Sequence, residues 1–148
     1  MNAKMTTMAQ LFLRVALSAS FLSAVADRWG IWGKPGDAHV AWGNWANFLV
    51  YNHSVNSYAG PQLNQLLAVI ATSLELLLAL LLLAGYKTRF TAAATGTLLL
   101  CFALAMTYSF GIKPSLDYSV WTGAAAAFLL SGTGRYRYSV DELLRRRA

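Results

Sequence analysis

Four long apolar stretches constrain this chain more than any other feature: about Met8 to Val25, Leu63 to Ala84, Thr91 to Phe110, and Leu116 to Ser131. A helix crosses the hydrocarbon core of a bilayer in about 20 residues. None of the stretches alternates apolar with polar residues, as the strands of a transmembrane barrel do. Leucine and alanine, both good helix formers, dominate them, most plainly over Leu74 to Leu83. Within lipid a helix satisfies its own backbone hydrogen bonds, which an open strand cannot do. Composition agrees, at 57% hydrophobic and 12% charged residues, where a soluble protein carries about a quarter charged. The expectation is an all-α integral membrane protein, a four-transmembrane-helix bundle forming one domain over residues 1–148.

The first stretch also resembles a signal peptide, with Lys4 ahead of it and Ala24-Val25-Ala26 as a small-residue cleavage site. Arg14 interrupts its apolar core, and it is read as a span. Orientation follows from the basic residues, which accumulate in cytoplasmic loops. Lys4, Lys87, Arg89, Arg135, Arg137, Arg145, Arg146 and Arg147 fall on one side, eight of the twelve Lys and Arg. Arg28, Lys34 and Lys113 fall on the other. Both termini are therefore expected in the cytoplasm, with residues 132–148 as a cytoplasmic tail. The net charge of +6 reads as topology and attraction to anionic lipid headgroups, and nothing else points to nucleic acid.

Residues 27–61 form the outer segment and hold four of the five tryptophans: Trp29, Trp32, Trp42 and Trp45. Trp29 and Trp32 suit the interfacial belt, where an indole keeps its N–H wet and its ring in apolar surroundings. Over Val40 to Leu49 the spacing puts Trp42, Trp45 and Leu49 on one helical face, with Asn44 and Asn47 away from it. This predicts a short amphipathic interfacial helix, a lipid-facing anchor or a lid over a cavity. The small-residue runs Thr91 to Gly96 and Gly123 to Ala127 predict close helix packing.

Ionisable groups at membrane depth are costly and become functional candidates by default. At 1.5 Å per residue, Glu75 lies about 14 Å from the cytoplasmic end of its stretch, and Arg14 about 8 Å. Two long side chains can bridge that difference, so the two are expected to pair, as a structural pair or as a proton-bearing or ligand-orienting site. A second group gathers at the outer mouth: Asp27, Arg28, Lys113 and Asp117, with Tyr108 and Trp121 near that level. Snorkelling and rim pairing are the ordinary reading, and a substrate entrance is the other. His39 and His53 have no carboxylate or cysteine cluster beside them, so no metal site is expected. Cys101, the sole cysteine, is expected as a buried inert thiol and cannot alone run a dithiol–disulfide cycle. No phosphate loop, nucleophile elbow or H-E-x-x-H is present.

Three segments resemble the DoxX family of small four-span bacterial membrane proteins. Leu13-Arg14-Val15-Ala16-Leu17-Ser18-Ala19-Ser20-Phe21-Leu22 is similar to its first span with the arginine, though Ser18 and Ser20 stand where glycines are frequent. Leu74-Glu75 through Ala84-Gly85, then Thr88-Arg89, is similar to its glutamate, leucine-rich half-helix, glycine and threonine–arginine turn. Gly132-Thr133-Gly134-Arg135 and Tyr138-Ser139-Val140-Asp141 resemble its tail. The outer segment is longer and richer in tryptophan than is usual there. The resemblance implies a bacterial inner membrane and a membrane subunit of a redox assembly with a soluble or membrane partner. No cofactor motif is evident, and the ligand in that setting would be quinone or another small apolar molecule. The alternatives are a stand-alone transporter or binder of a small hydrophobic or weakly acidic compound, and an enzyme using Glu75 or Asp117 as acid or base. Candidate ligand-binding residues are Arg14, Glu75, Asp27, Trp42, Trp45, Tyr108 and Trp121. Four short helices leave room for one modest cavity unless the protein forms a homo-oligomer.

Overall fold

A computed structural model describes residues 3–147, with no strand among them. Helix α1 (Ala3–Arg28) buries Arg14, Leu17, Ser18, Phe21 and Val25 at helical spacing and turns Phe12 and Val15 outward. After a looped strap, α2 (Trp45–Val55) starts on Asn44, whose side chain accepts the Asn47 N–H, and buries Phe48, Asn52 and Val55. Helix α3 (Pro61–Ala84) opens with proline in its first turn, where the missing N–H costs nothing. Its buried face carries Ala68, Thr72, Glu75, Leu78, Ala79 and Leu82, while Leu66, Leu77, Leu80 and Leu83 face outward. The small and polar residues are inside together with Leu78 and Leu82, while most of the other leucines face outward, where lipid solvates them as well as protein would.

Helix α4 (Thr88–Phe110) follows a tight turn, and then come α5 (Ile112–Asp117), α6 (Val120–Gly132) and α7 (Val140–Arg147). The long helices form a ring in which α1 and α4 each pack against both α3 and α6, while α2 lies across α3, α4 and α1 at one end. The expected packing faces meet: a Cβ on Gly96 would stand 2.9 Å from the Phe128 ring. Around that contact Thr91, Ala92, Thr95, Ala124 and Ala127 are buried. The bundle thus has two polar ends. One carries α2 and the tryptophan-rich strap, the other the α3–α4 turn and the tail.

Three helices, α1, α3 and α4, are long and apolar enough to cross a membrane, and α6 is a shorter apolar helix of 13 residues. Its stretch, expected as one continuous helix over about 116–131, is broken after α5. Ser119 adopts φ 56°, and the N–H groups of Tyr118 and Ser119 close back onto Pro114 and Leu116. Buried Ser115 ties this corner by accepting the Trp121 indole N–H at 3.0 Å and pairing with the Thr107 hydroxyl at 2.9 Å.

The outer helix also differs from expectation. It begins at Trp45 rather than near Val40, because Asn44 satisfies its first N–H groups as N-cap. Trp42 therefore belongs to the strap and not to the helical face. Cys101 is exposed on the outward face of α4, which corrects its expected burial: α4 turns Ala92, Thr95, Gly96 and Ala103 inward instead.

Candidate functional site

At the tryptophan end, Glu75 and Arg28 form an ion pair with both residues almost wholly buried, at 3% and 4% exposure. Arg28 Nη1 also donates to the Thr72 hydroxyl at 2.6 Å, and Nη2 to the second Glu75 oxygen at 3.1 Å. Thr72 precedes Glu75 by three residues and shares its helical face. Above the pair, the guanidinium carbon lies 3.9 Å from the Phe48 ring centroid and 5.3 Å from that of Trp42. Both are geometries in which an aromatic face attracts a cation. Trp45 packs against Phe48 at 5.3 Å between centroids, and Trp42 against Tyr51 at 5.5 Å. The result is an aromatic layer over a buried charge pair. One donor is left over: the Arg28 Nε–H is buried without a hydrogen-bond partner.

Asp27 positions that layer. Its carboxylate accepts the backbone N–H groups of Ala41 at 2.9 Å and Gly43 at 3.0 Å, with Trp42 N–H at 3.3 Å. It thereby folds the strap back over the end of α1. Asp27→Asn puts an amide NH₂ against these donors and is expected to free the strap, at about 1–3 kcal/mol for the unsatisfied groups. Hydrogen exchange at Ala41, Trp42 and Gly43 should accelerate while the spans stay protected; unchanged exchange would show that the carboxylate does not hold the strap.

The opposite end is organised by Arg14, buried to 2% exposure. Its Nε donates to Leu82 O at 2.8 Å, Nη2 to Leu83 O at 2.9 Å, and Nη1 to the carbonyls of Tyr138 at 3.1 Å and Arg137 at 3.3 Å. It caps the last carbonyls of α3, which have no intrahelical partners, and ties the tail to them. The Asp141 carboxylate accepts the N–H groups of Lys87 and Thr88 at 2.7 Å each, capping α4. Ser139 Oγ accepts the Glu142 N–H while Glu142 accepts that of Tyr138, closing the start of α7 reciprocally.

The expected Arg14–Glu75 pair is therefore not formed. Helix α1 begins at Ala3 and its first turns run past the α3–α4 turn, so Arg14 stands level with the last turn of α3 and not with Glu75. Arg28, expected as a snorkelling rim residue, turns inward to take that place. Depth counted from the edge of an apolar stretch does not reveal this, although a threonine three residues before the glutamate does signal a polar face. Tyr108 is exposed with its ring 6.3 Å from that of Tyr58, and Trp121 is spent on Ser115. Asp117 pairs with Lys113 at 2.5 Å on the exposed rim, the ordinary reading of that pair. None of these three contacts the Arg28–Glu75 group in any hydrogen bond, ion pair or ring contact among the described residues. No cluster of metal-ligating side chains occurs among the described residues.

No curated protein and no solved structure matches the chain in sequence or fold comparison. The DoxX family model matches residues 9–110. That range takes in Arg14, Asp27, Arg28, the strap, Glu75 and the Gly85 turn, and leaves the tail outside it. The match covers more than two thirds of the chain, and the protein belongs to the DoxX family.

Proposed function

We propose that this DoxX-family chain is a multi-pass protein of a bacterial inner membrane that serves as the membrane subunit of a quinone-linked redox assembly. In this reading it crosses the bilayer four times, with α5 and α6 together making the last crossing and both termini in the cytoplasm. The tail-end excess of Lys and Arg supports that orientation. The ligand is a small apolar molecule with a hydrogen-bond-accepting head, and its head lies at the Arg28–Glu75 pair. The observation that carries this reading is the buried Arg28 Nε–H without a partner. A buried unsatisfied donor costs on the order of 1–3 kcal/mol, and more on a charged group, and a ligand oxygen would recover it. Phe48, Trp42 and Tyr51 supply flat aromatic surface for the body of such a molecule. The pair also offers a carboxylate next to the accepting head, which suits a ligand whose head gains or loses protons.

Extraction of the protein purified in mild detergent, followed by mass spectrometry, tests this. Wild-type protein should yield a bound quinone, and an Arg28→Met/Glu75→Met double variant should lose it while eluting as the same folded species. A wild-type extract without quinone, or an equal yield from the double variant, overturns the proposal. A second reading rests on the same spare donor. A carboxylate oxygen could equally take it, making the protein a stand-alone binder or transporter of weakly acidic apolar compounds. Flux of such a compound into protein-containing liposomes, with no quinone and no partner co-purified, would favour that reading.

A further inference from the structure

Around the α3–α4 turn the charges do not cancel. The nearest carboxylate, Asp141, is spent on the N–H groups of Lys87 and Thr88, and Glu142 on Arg146 and the Tyr138 N–H. Among the described residues neither Lys87 nor Arg89 has a carboxylate partner. Lys87 Nζ lies 5.7 Å from the centroid of the Tyr86 ring. Beside them lies a shallow, open hollow of about 600 Å³, lined by Lys87, Arg89, Phe90, Tyr136 and Asp141. Phe90 is 74% exposed at its edge. The two flanking helices, α3 and α4, end here at spanning length, which sets the hollow at headgroup level.

From Phe90 the same face of α4 continues through Ala94, Thr97 and Cys101, all exposed. The outward face of α3 instead carries Leu66, Leu77, Leu80 and Leu83. Short side chains in that row keep this face of α4 low beside the leucine-covered face of α3. A second copy of the chain fits this face poorly. Parallel two-fold packing along it would bring Lys87 and Arg89 of both copies together, and like charges repel. A phospholipid has the complementary layout, with a negative phosphate at the interface and acyl chains leading inward.

We propose that this hollow and the short-side-chain row of α4 hold one anionic phospholipid, its phosphate against Lys87 and Arg89 and an acyl chain along Ala94, Thr97 and Cys101. The test is electron spin resonance of the full chain in phosphatidylcholine vesicles, doped with spin-labelled phosphatidylglycerol or spin-labelled phosphatidylcholine. The wild type should immobilise the glycerol lipid preferentially. Lys87→Gln/Arg89→Gln should weaken that preference by roughly fivefold per charge removed. The charge-preserving Lys87→Arg/Arg89→Lys variant should retain it, which separates lost charge from lost fold. Ala94→Leu/Thr97→Leu, which raises that row with bulky side chains, should also reduce it. Equal immobilisation of the two lipids overturns the proposal. So does an equal loss in Arg145→Gln/Arg146→Gln, which would mean diffuse attraction by the tail. Displacement by inorganic phosphate at constant ionic strength, or Cys101 cross-linking between copies, would assign the face to a free anion or to a dimer.

Discussion

Replacing Glu75 by glutamine while Arg28 remains should destabilise the protein by about 3–5 kcal/mol, the cost of leaving one member of a buried ion pair uncompensated. Glutamine preserves shape and one acceptor, so the loss comes from charge and not from volume. Arg28 cannot retreat to water by rotating, because Phe48 and Trp42 cover it and Asp27 pins the strap that carries Trp42. Removing both charges with Arg28→Met/Glu75→Met should restore most of the stability, since apolar replacements of a buried pair are often neutral or better. Equilibrium unfolding in mixed detergent micelles, compared across the single and double variants, provides the measurement. If Glu75→Gln unfolds with the wild type, the pair is not buried as described. If the double variant is as unstable as the single one, packing and not charge is what matters at this site. A double variant that is stable but empty of ligand would separate function from fold.

Gly85→Ala should be the most damaging small substitution at the other end. Gly85 has φ 67°, a conformation that costs a side chain of order 1–3 kcal/mol. It closes α3 as a Schellman motif, Gly85 N–H to Leu82 O and Tyr86 N–H to Leu81 O at 3.1 Å each. An added Cβ would also stand 2.5 Å from Arg14 Nη2 and collide with Ser139. To relieve this, the guanidinium must leave the carbonyls of Leu82 and Leu83. Hydrogen bonds to a charged group are worth about 1.5–3 kcal/mol each, so the combined loss should reach several kcal/mol. The diagnostic is a double-mutant cycle. In an Arg14→Ala background one clash is already gone, and Gly85→Ala should cost distinctly less than in the wild type. Strict additivity would show that the glycine is needed for its backbone angle alone.

Several parts of the structure were legible from residue patterns because they depend on local chemistry. Membrane residence followed from apolar length, and the tight α3–α4 turn from Gly85 between leucine-rich and threonine–arginine segments. Close packing of the small-residue runs Thr91–Gly96 and Gly123–Ala127 followed from the need of small residues for close approach in lipid. Arg14 and Glu75 stand out in the sequence as charges within apolar stretches and are both buried, but their partners are not legible there. A side chain as long as arginine reaches about one and a half turns of helix along the axis, so register between antiparallel helices decides which charges meet. Register depends on how far α1 runs past the α3–α4 turn, which hydropathy does not report. Trp42 was read as part of a helical face, whereas Asp27 brings it over Arg28 through backbone contacts at a separation of 14–16 residues. Cys101 was expected inside because thiols usually are, yet lipid offers an apolar exterior that accepts it equally.

The four apolar stretches determined the solvent, the helical class and the interior charges that must be compensated, since transfer into hydrocarbon is a property of each segment by itself. Tertiary structure alone decided that the last stretch breaks at Ser119, that Arg28 rather than Arg14 answers Glu75, and that Arg14 is spent on carbonyls. Those outcomes depend on relative helix register and on a strap folded back by Asp27. They are set by contacts between segments, whose energies no single segment contains.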